Sequence, residues 1–262
     1  MSLVSLAKKT EQRIGMITLN APPLNISTKA LKDELNQALS EIECDPHIAV
    51  ILINAVGEKA FSVGSDIREL QQAIQANKVR ERAEHENALN NRIENLGKVT
   101  IAVIHGFALG GGLELALACD FRVADVNAKL AFPEIKLALF PGGGGSERLP
   151  RLVGYSKALE LMLTGESIDA SEAKEIGLVN RIAIERSALE EAMLLAESIA
   201  GFSLSAIRRI KNIARRGLTL DFAEANRLAI LDSERAFFDP DGQEGIRAFL
   251  EKRAPNFSDR ES

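Results

Sequence analysis

Cysteine is scarce in this 262-residue chain: Cys44 and Cys119 are the only two, and the three histidines, His47, His85 and His105, lie far apart. With no Cys-x-x-Cys pair, neither a disulfide framework nor a zinc site is expected, and no metal is assigned. Tryptophan is absent, and the longest apolar stretches, residues 48–53 and 99–104, fall far below the ~20 residues of a membrane-spanning helix. Residues 1–13 lack the charged-then-apolar order of a secretory signal, so a cytoplasmic protein with no membrane partner is expected. Positive charge is also in short supply, with 32 Lys and Arg against 37 Asp and Glu and a net charge of −5. A general nucleic-acid surface needs the opposite balance. The sequence contains no GxGxxG, GxxxxGK[ST] or GxSxG, which removes the residues of dinucleotide sites, P-loops and nucleophile elbows. A serine peptidase would need a Ser/His/Asp set, and Ser65 has no evident histidine partner.

What the chain does have is a 46% hydrophobic, 26% charged composition with no low-complexity block, enough for a sizeable core. The first half alternates β-rich runs with helical periodicity. Residues 14–19, 48–55, 99–104, 121–124 and 129–132 read as strands; residues 28–42, 66–96 and 111–118 read as helical. A short helix is expected near Ser146, another over residues 167–175 with Asp169 as its cap, and a strand over 178–183. From Ser187 onward only helical patterns remain, over 188–200, 203–216, 221–238 and 242–252. The pattern predicts an α/β core over residues 1–200 and a helical region over 201–262 that packs on another surface.

Two glutamates stand out. Glu114 follows the triplet Gly110, Gly111 and Gly112, and Glu134 precedes the run from Pro141 to Gly145. Bare backbone lets amide N–H groups approach an oxygen on which negative charge develops, and paired carboxylates can donate and accept a proton. Each feature has a plainer explanation. A first-turn glutamate is favoured by the helix dipole, a glycine run can be a simple connector, Glu134 can be a solvated loop residue, and Asp66 in the Phe61–Ile67 stretch can be an ordinary helix cap. Apolar neighbours on both sides of Glu114 favour a half-buried carboxylate with a raised pKa. Cys119, His105 and Met162 sit in apolar settings and are expected in the core.

Taken in order, Ala60-Phe-Ser-Val-Gly-Ser-Asp-Ile67, His105-Gly-Phe-Ala-Leu-Gly-Gly-Gly-Leu-Glu114 and Phe132-Pro-Glu-Ile-Lys-Leu-Ala-Leu-Phe-Pro-Gly-Gly-Gly-Gly-Ser-Glu-Arg-Leu149 resemble the enoyl-CoA hydratase/isomerase, or crotonase, family. The segments 170–179 and 248–253 extend the resemblance nearly end to end. It implies a spiral of ββα units followed by a helical region that drives a homotrimer, commonly paired into a hexamer. It implies an acyl-CoA thioester as substrate, with coenzyme A part of that substrate and no separate cofactor. The family pattern puts an oxyanion hole at the backbone N–H groups of Ser65 and Gly111. Phe61, Ser62, Val63, Gly64, Asp66, Ile67, Arg68 and Gly110 then border the CoA thioester, with Phe249 and Lys252 contributed by the last helix. Lys252 has solvated surface as its plainer reading.

The same resemblance gives Glu114 and Glu134 the task of adding water across a C2=C3 double bond, Glu114 activating the water and Glu134 protonating C2. Retention of both favours hydration over a Δ3,Δ2 double-bond shift, which stands as the alternative within the family. A non-catalytic RNA-binding role is the alternative from a different class. The stretch Asn20-Ala-Pro-Pro-Leu-Asn25 is shorter than the usual family loop, and the acyl tunnel is expected to draw on residues 71–94 and the surroundings of Phe140.

Overall fold

Strands with apolar or β-branched residues at almost every position can be stable only where both faces are covered. That is how the computed structural model, which describes residues 2–257, arranges them. In chain order the strands are β1 (Val4–Lys9), β2 (Ile14–Leu19), β3 (Val50–Ala55), β4 (Ala60–Ser62), β5 (Val99–Ile104), β6 (Phe107–Leu109), β7 (Phe121–Asp125), β8 (Lys129–Ala131), β9 (Ile168–Asp169) and β10 (Arg181–Ala183). The helices are α1 (Lys29–Glu43), α2 (Ile67–Gln75), α3 (Val79–Asn95), α4 (Gly111–Ala118), α5 (Gly145–Val153), α6 (Tyr155–Thr164), α7 (Ala170–Glu175), α8 (Ala188–Ala200), α9 (Leu204–Arg216), α10 (Phe222–Phe238) and α11 (Pro240–Glu251). Among the described residues no helix is long and apolar enough to cross a membrane.

The strands form two sheets. The larger runs β1-β2-β3-β5-β7-β10 and is parallel apart from the antiparallel β1–β2 pair; the smaller runs β4-β6-β8-β9. Odd and even strands of the chain therefore climb alternately through the two sheets from residue 50 to 131, giving the repeated strand-strand-helix step. The period-2 alternation of β3 and β5 splits the core in two. Ile51, Ile53, Ala102 and Ile104 point into a cluster shared with the small sheet, α1, α3 and α4. Val50, Leu52, Ile101 and Val103 point the other way, onto Ala192, Leu195 and Ala196 of α8 and Leu204 and Ile207 of α9.

Several boundaries differ from the sequence reading. β1 is a strand that the sequence reading treated only as a non-signal amino terminus, and its alternation is masked by Lys8 and Lys9 on an edge where polar side chains reach solvent. The long helix expected over 66–96 breaks at Ala76–Lys78, where Asn77 turns into the left-handed region. Ile168 and Asp169 form a short strand against β8 before Asp169 caps α7 through the Glu172 N–H. The strand expected over 178–183 is confined to Arg181–Ala183. The Asp239-Pro240-Asp241-Gly242 stretch is no free turn: Asp239 accepts the Asp241 N–H and Pro240 opens α11, the usual chemistry of a helix start. Cys119 is buried as expected, whereas His105 and Met162 are only partly so.

Arg122 ties the fold together beneath the site. Only 2% exposed, it donates from Nε to the Leu178 carbonyl at 2.7 Å and from Nη1 to the Cys119 carbonyl at 2.8 Å. It thereby satisfies carbonyls at the end of α4 and ahead of β10. Arg122→Met strands these acceptors in the interior. Urea unfolding is expected to show a loss of about 3 kcal/mol, against under ~0.5 kcal/mol for the exposed Arg151→Met.

Candidate active site

The site is built where β6 hands over to α4. Gly110, the residue before the helix, has φ 51° and ψ −126°, and a Cβ there would stand 2.8 Å from Glu134 Oε1. Both facts demand glycine. Gly111 then opens α4, a position whose N–H has no acceptor within the helix. Facing it, the loop after β4 brings Gly64 so close that a Cβ would lie 2.8 Å from the Gly111 nitrogen; its φ of +84° again favours glycine. Ser65 follows directly. Two stretches of bare backbone thus meet at the positive end of a helix that is buried all round from Gly112 to Ala118.

Glu114 lies within the first turn of α4 and is 3% exposed. Its Oε1 accepts the Gly143 N–H at 2.7 Å and the Gly145 N–H at 2.9 Å. Burial, above all, lifts its pKa from the ordinary 4.5 to about 7; the charges on Glu86 and Glu134 push the same way, and the two N–H bonds oppose them. Glu134 is carried by a single 3-10 turn, Pro133–Leu137, which follows β8. Its Oε2 has no hydrogen-bond partner among the described residues, and burial raises its pKa as well. The charge of Glu134 pushes the Glu114 pKa further upward, so the two carboxyls titrate as a coupled pair.

The sequence reading did not single out Glu86, which brings a third carboxylate to the site. It sits on α3, 7% exposed, with Oε1 3.1 Å from where a Cβ on Gly111 would be. Ser65 Oγ donates to the same oxygen at 3.5 Å, and Oε2 pairs with Lys32 at 3.5 Å and Arg82 at 3.3 Å. Further along α3, Asn87 and Asn90 donate to the carbonyls of Gly142 and Gly143 at 2.7 and 2.8 Å, so this helix also straps down the loop that holds Glu114. The buried stripe Glu86, Leu89, Asn90 and Ile93 has helical spacing. A polar residue at two of its four positions was the available signal.

The structure brings Gly64, Ser65, Gly110, Gly111, Glu114 and Glu134 into one place. The remaining candidates divide. Phe61 is completely buried, so only its backbone can face a ligand, and the Ser62 hydroxyl is occupied by the Asn25 carbonyl at 2.8 Å. Val63 is half-buried between them and the glycine turn. Asp66 caps α2 through the Arg68 N–H and pairs with the exposed Arg68 side chain at 3.0 Å, while Ile67 is 56% exposed beside them. Phe249 and Lys252 lie exposed at the end of α11, a helix that packs on α10 and adds no residue to the glycine–glutamate cluster. Among the described residues no group of His, Cys, Asp and Glu could hold a metal ion.

Fold and site together define an α/β protein with two carboxyls of raised pKa beside two stretches of bare backbone. The family follows from comparison. Residues 9–260 match the model of the enoyl-CoA hydratase/isomerase family, and the chain belongs to that family. It is 38% identical over 252 residues to the mitochondrial enoyl-CoA hydratase of Pongo abelii, covering 94% of this chain and 84% of the relative. It is 36% identical over 258 residues to the crotonyl-CoA hydratase of Syntrophomonas wolfei, covering 98% and 99%. The crystal structure of enoyl-CoA hydratase from Bacillus anthracis superposes with a TM-score of 0.92 at 36% identity, covering 98% of this chain and 99% of that one.

A carboxyl whose folded pKa is raised binds a proton that the unfolded chain has released, so its contribution to stability declines as pH rises from about 4.5 to about 7 and is constant above. Glu114→Gln keeps an acceptor for both N–H groups and carries no charge. Denaturation of this variant should show a gain over the parent of up to about 3 kcal/mol at pH 8, and little gain at pH 5. Equal differences at the two pH values would mean that Glu114 is not held in a desolvating site.

Proposed function

We infer that the protein is an enoyl-CoA hydratase, a hydro-lyase that adds water across the C2=C3 double bond of a trans-2-enoyl-CoA to give the 3-hydroxyacyl-CoA. Family membership and hydratases among its full-length relatives support this. The observation that carries it is the pair of glutamates, Glu114 buried and Glu134 half-buried, both with raised pKa, beside the two glycine turns. One carboxylate must take a proton from water and the other must supply one to carbon.

The thioester carbonyl accepts hydrogen bonds from the N–H groups of Ser65 and Gly111, which draw electron density from C3 and stabilise the enolate that forms when oxygen attacks there. Water gives a proton to Glu114 as its oxygen bonds to C3. C2 takes a proton from Glu134, the enolate collapses, and the carbonyl is restored. Afterwards one proton passes from Glu114 back to Glu134 across the water position they share. The working form is the pair holding a single proton. Water attacks when that proton is on Glu134 and Glu114 is ionised, and a pH profile reads the pair rather than either member.

The reaction involves no redox step and the proposal invokes no metal or separate cofactor, because coenzyme A arrives as part of the substrate. We place α9–α11 at the contact of a homotrimer or dimer of trimers. Exposed Ile210, Phe222, Phe238 and Phe249 on these elements, with Leu218 between α9 and α10, support that assignment.

Loss of the conjugated-enoyl absorbance of crotonyl-CoA is the direct test. Glu114→Gln and Glu134→Gln are each expected to reduce kcat by roughly 10³-fold or more. The kcat/KM of the parent should fall as pH rises through about 7, when the pair loses its last proton. Binding of crotonyl-CoA with the double bond left intact would move the activity to double-bond isomerisation or another acyl-CoA reaction. Gly64→Ala puts a methyl group against the Gly111 N–H, and a drop of about 10²-fold in kcat with the fold intact is expected.

A further inference from the structure

A cavity of about 570 Å³ lies between α1, α2 and the start of α3. Two of its lining groups are Lys32 and Arg82. Lys32 is only 3% exposed, on the buried side of α1 among Leu31, Leu35 and Leu39, where a lysine is costly without a good partner. Its ammonium has the Glu86 carboxylate at 3.5 Å and no hydrogen-bond partner among the described residues. Nε and Nη2 of Arg82 are likewise buried with no partner, although Nη1 reaches Glu86 at 3.3 Å. Burial lowers the pKa of Lys32, the mark of an ammonium short of counter-charge.

The balance of charge is local. At the rim of the cavity Lys29 pairs with Asp33, Lys78 with Glu81, and both oxygens of Glu69 accept the Lys29 backbone N–H. His85 also reaches Asp33. The rim cations are matched by carboxylates. Inside, Lys32 and Arg82 both pair with Glu86, Glu69 adds only a more distant negative charge to Lys32, and both cations keep donors unspent. An occupant that answers both deficits carries a negative charge and at least two acceptor oxygens, which is the description of a carboxylate. Glu86 turns Oε1 to Gly111 and Oε2 to Lys32 and Arg82, so the two cations stand one side chain away from the backbone-donor pocket, within reach of the far end of a chain whose carbonyl that pocket holds. An unsubstituted alkyl chain in this place would desolvate the charged groups and return nothing.

We propose that this site selects acyl thioesters whose chain ends in a carboxylate, with the terminal oxygens docking on Lys32 and Arg82 while the thioester carbonyl sits at Ser65 and Gly111. Glu86 is then a positioning residue, holding the two cations at the boundary between the pocket and the cavity. The proposal rests on the assignment of the pocket to an acyl-CoA and names which acyl-CoA it takes.

Calorimetric binding of saturated esters tests it without requiring turnover. Adipyl-CoA and glutaryl-CoA are compared with hexanoyl-CoA, pentanoyl-CoA and free CoA on the intact protein. The carboxylate-ended esters should bind on the order of tenfold or more tightly than their equal-length partners, the worth of one or two charge-assisted hydrogen bonds. Lys32→Met should bring the adipyl-to-hexanoyl affinity ratio towards one. Arg82→Gln reads the same ratio at a less buried position and serves if Lys32→Met does not fold. Equal affinities for the two ester classes in the parent would overturn the proposal. So would an equal weakening of free CoA and all esters in both variants, since the cations would then serve the CoA phosphates. Crotonyl-CoA hydration is followed in parallel: its failure would count against the hydratase assignment, and the binding ratio would still decide the chain-end preference.

Discussion

The carboxylate of Glu114 is the constraint on which the rest of the site depends. A charged group with 3% exposure is tolerable only if something replaces its water, and the two N–H groups of Gly143 and Gly145 do that for one oxygen. Those donors exist because the loop is glycine there: a Cβ on Gly143 would stand 2.5 Å from Glu114 Oε2, and one on Gly145 3.0 Å from Oε1. The loop in turn is held by Asn87 and Asn90 from α3 and by Arg148, whose guanidinium pairs with Glu94 of the same helix at 2.7 Å. The geometry around Glu114 is therefore a property of three segments far apart in sequence, locked by polar contacts to backbone.

Beneath that lock the two sheets supply rigidity. β5 delivers the chain to the Gly106 turn, β6 delivers it to α4, and both strands are paired on each side. Strands buried on both faces allow little displacement without opening a cavity, and such movements are costly in a close-packed interior. A chemistry that depends on two N–H groups pointing at one oxygen needs this kind of support. The small residues at the junction then let backbone approach backbone.

Much of this was legible in the residues. Largely apolar strand runs such as 48–55 and 99–104 pointed to strands with covered faces in an α/β core, and the glycines around Glu114 and Glu134 indicated close approach. Three ordered motifs then carried the family. What escaped was either short or non-local. β4, β6 and β9 are two or three residues long, too brief for any periodicity, and exist because neighbouring strands pair with them. β1 is an edge strand whose lysines hide its alternation. Glu86 looked like one more charged residue on a polar helix, since its burial comes from α1 and the glycine loop packing against α3, and no local window contains those partners.

The three carboxylates also explain each other. Glu114, Glu134 and Glu86 converge on the start of α4, and the charge of Glu86 pushes the pKa of both others upward. Left unanswered, that much negative charge would oppose an enolate forming at the pocket between Ser65 and Gly111. Lys32 and Arg82 answer it for Glu86, and a shared proton answers it for the pair. Each glutamate therefore has a different environment: N–H bonds and deep burial for Glu114, an unsatisfied oxygen on a tight turn for Glu134, two buried cations for Glu86. Chemically identical side chains become distinguishable in this way, so that one site can hold a proton, accept a proton and mark the boundary of the acyl cavity at the same pH.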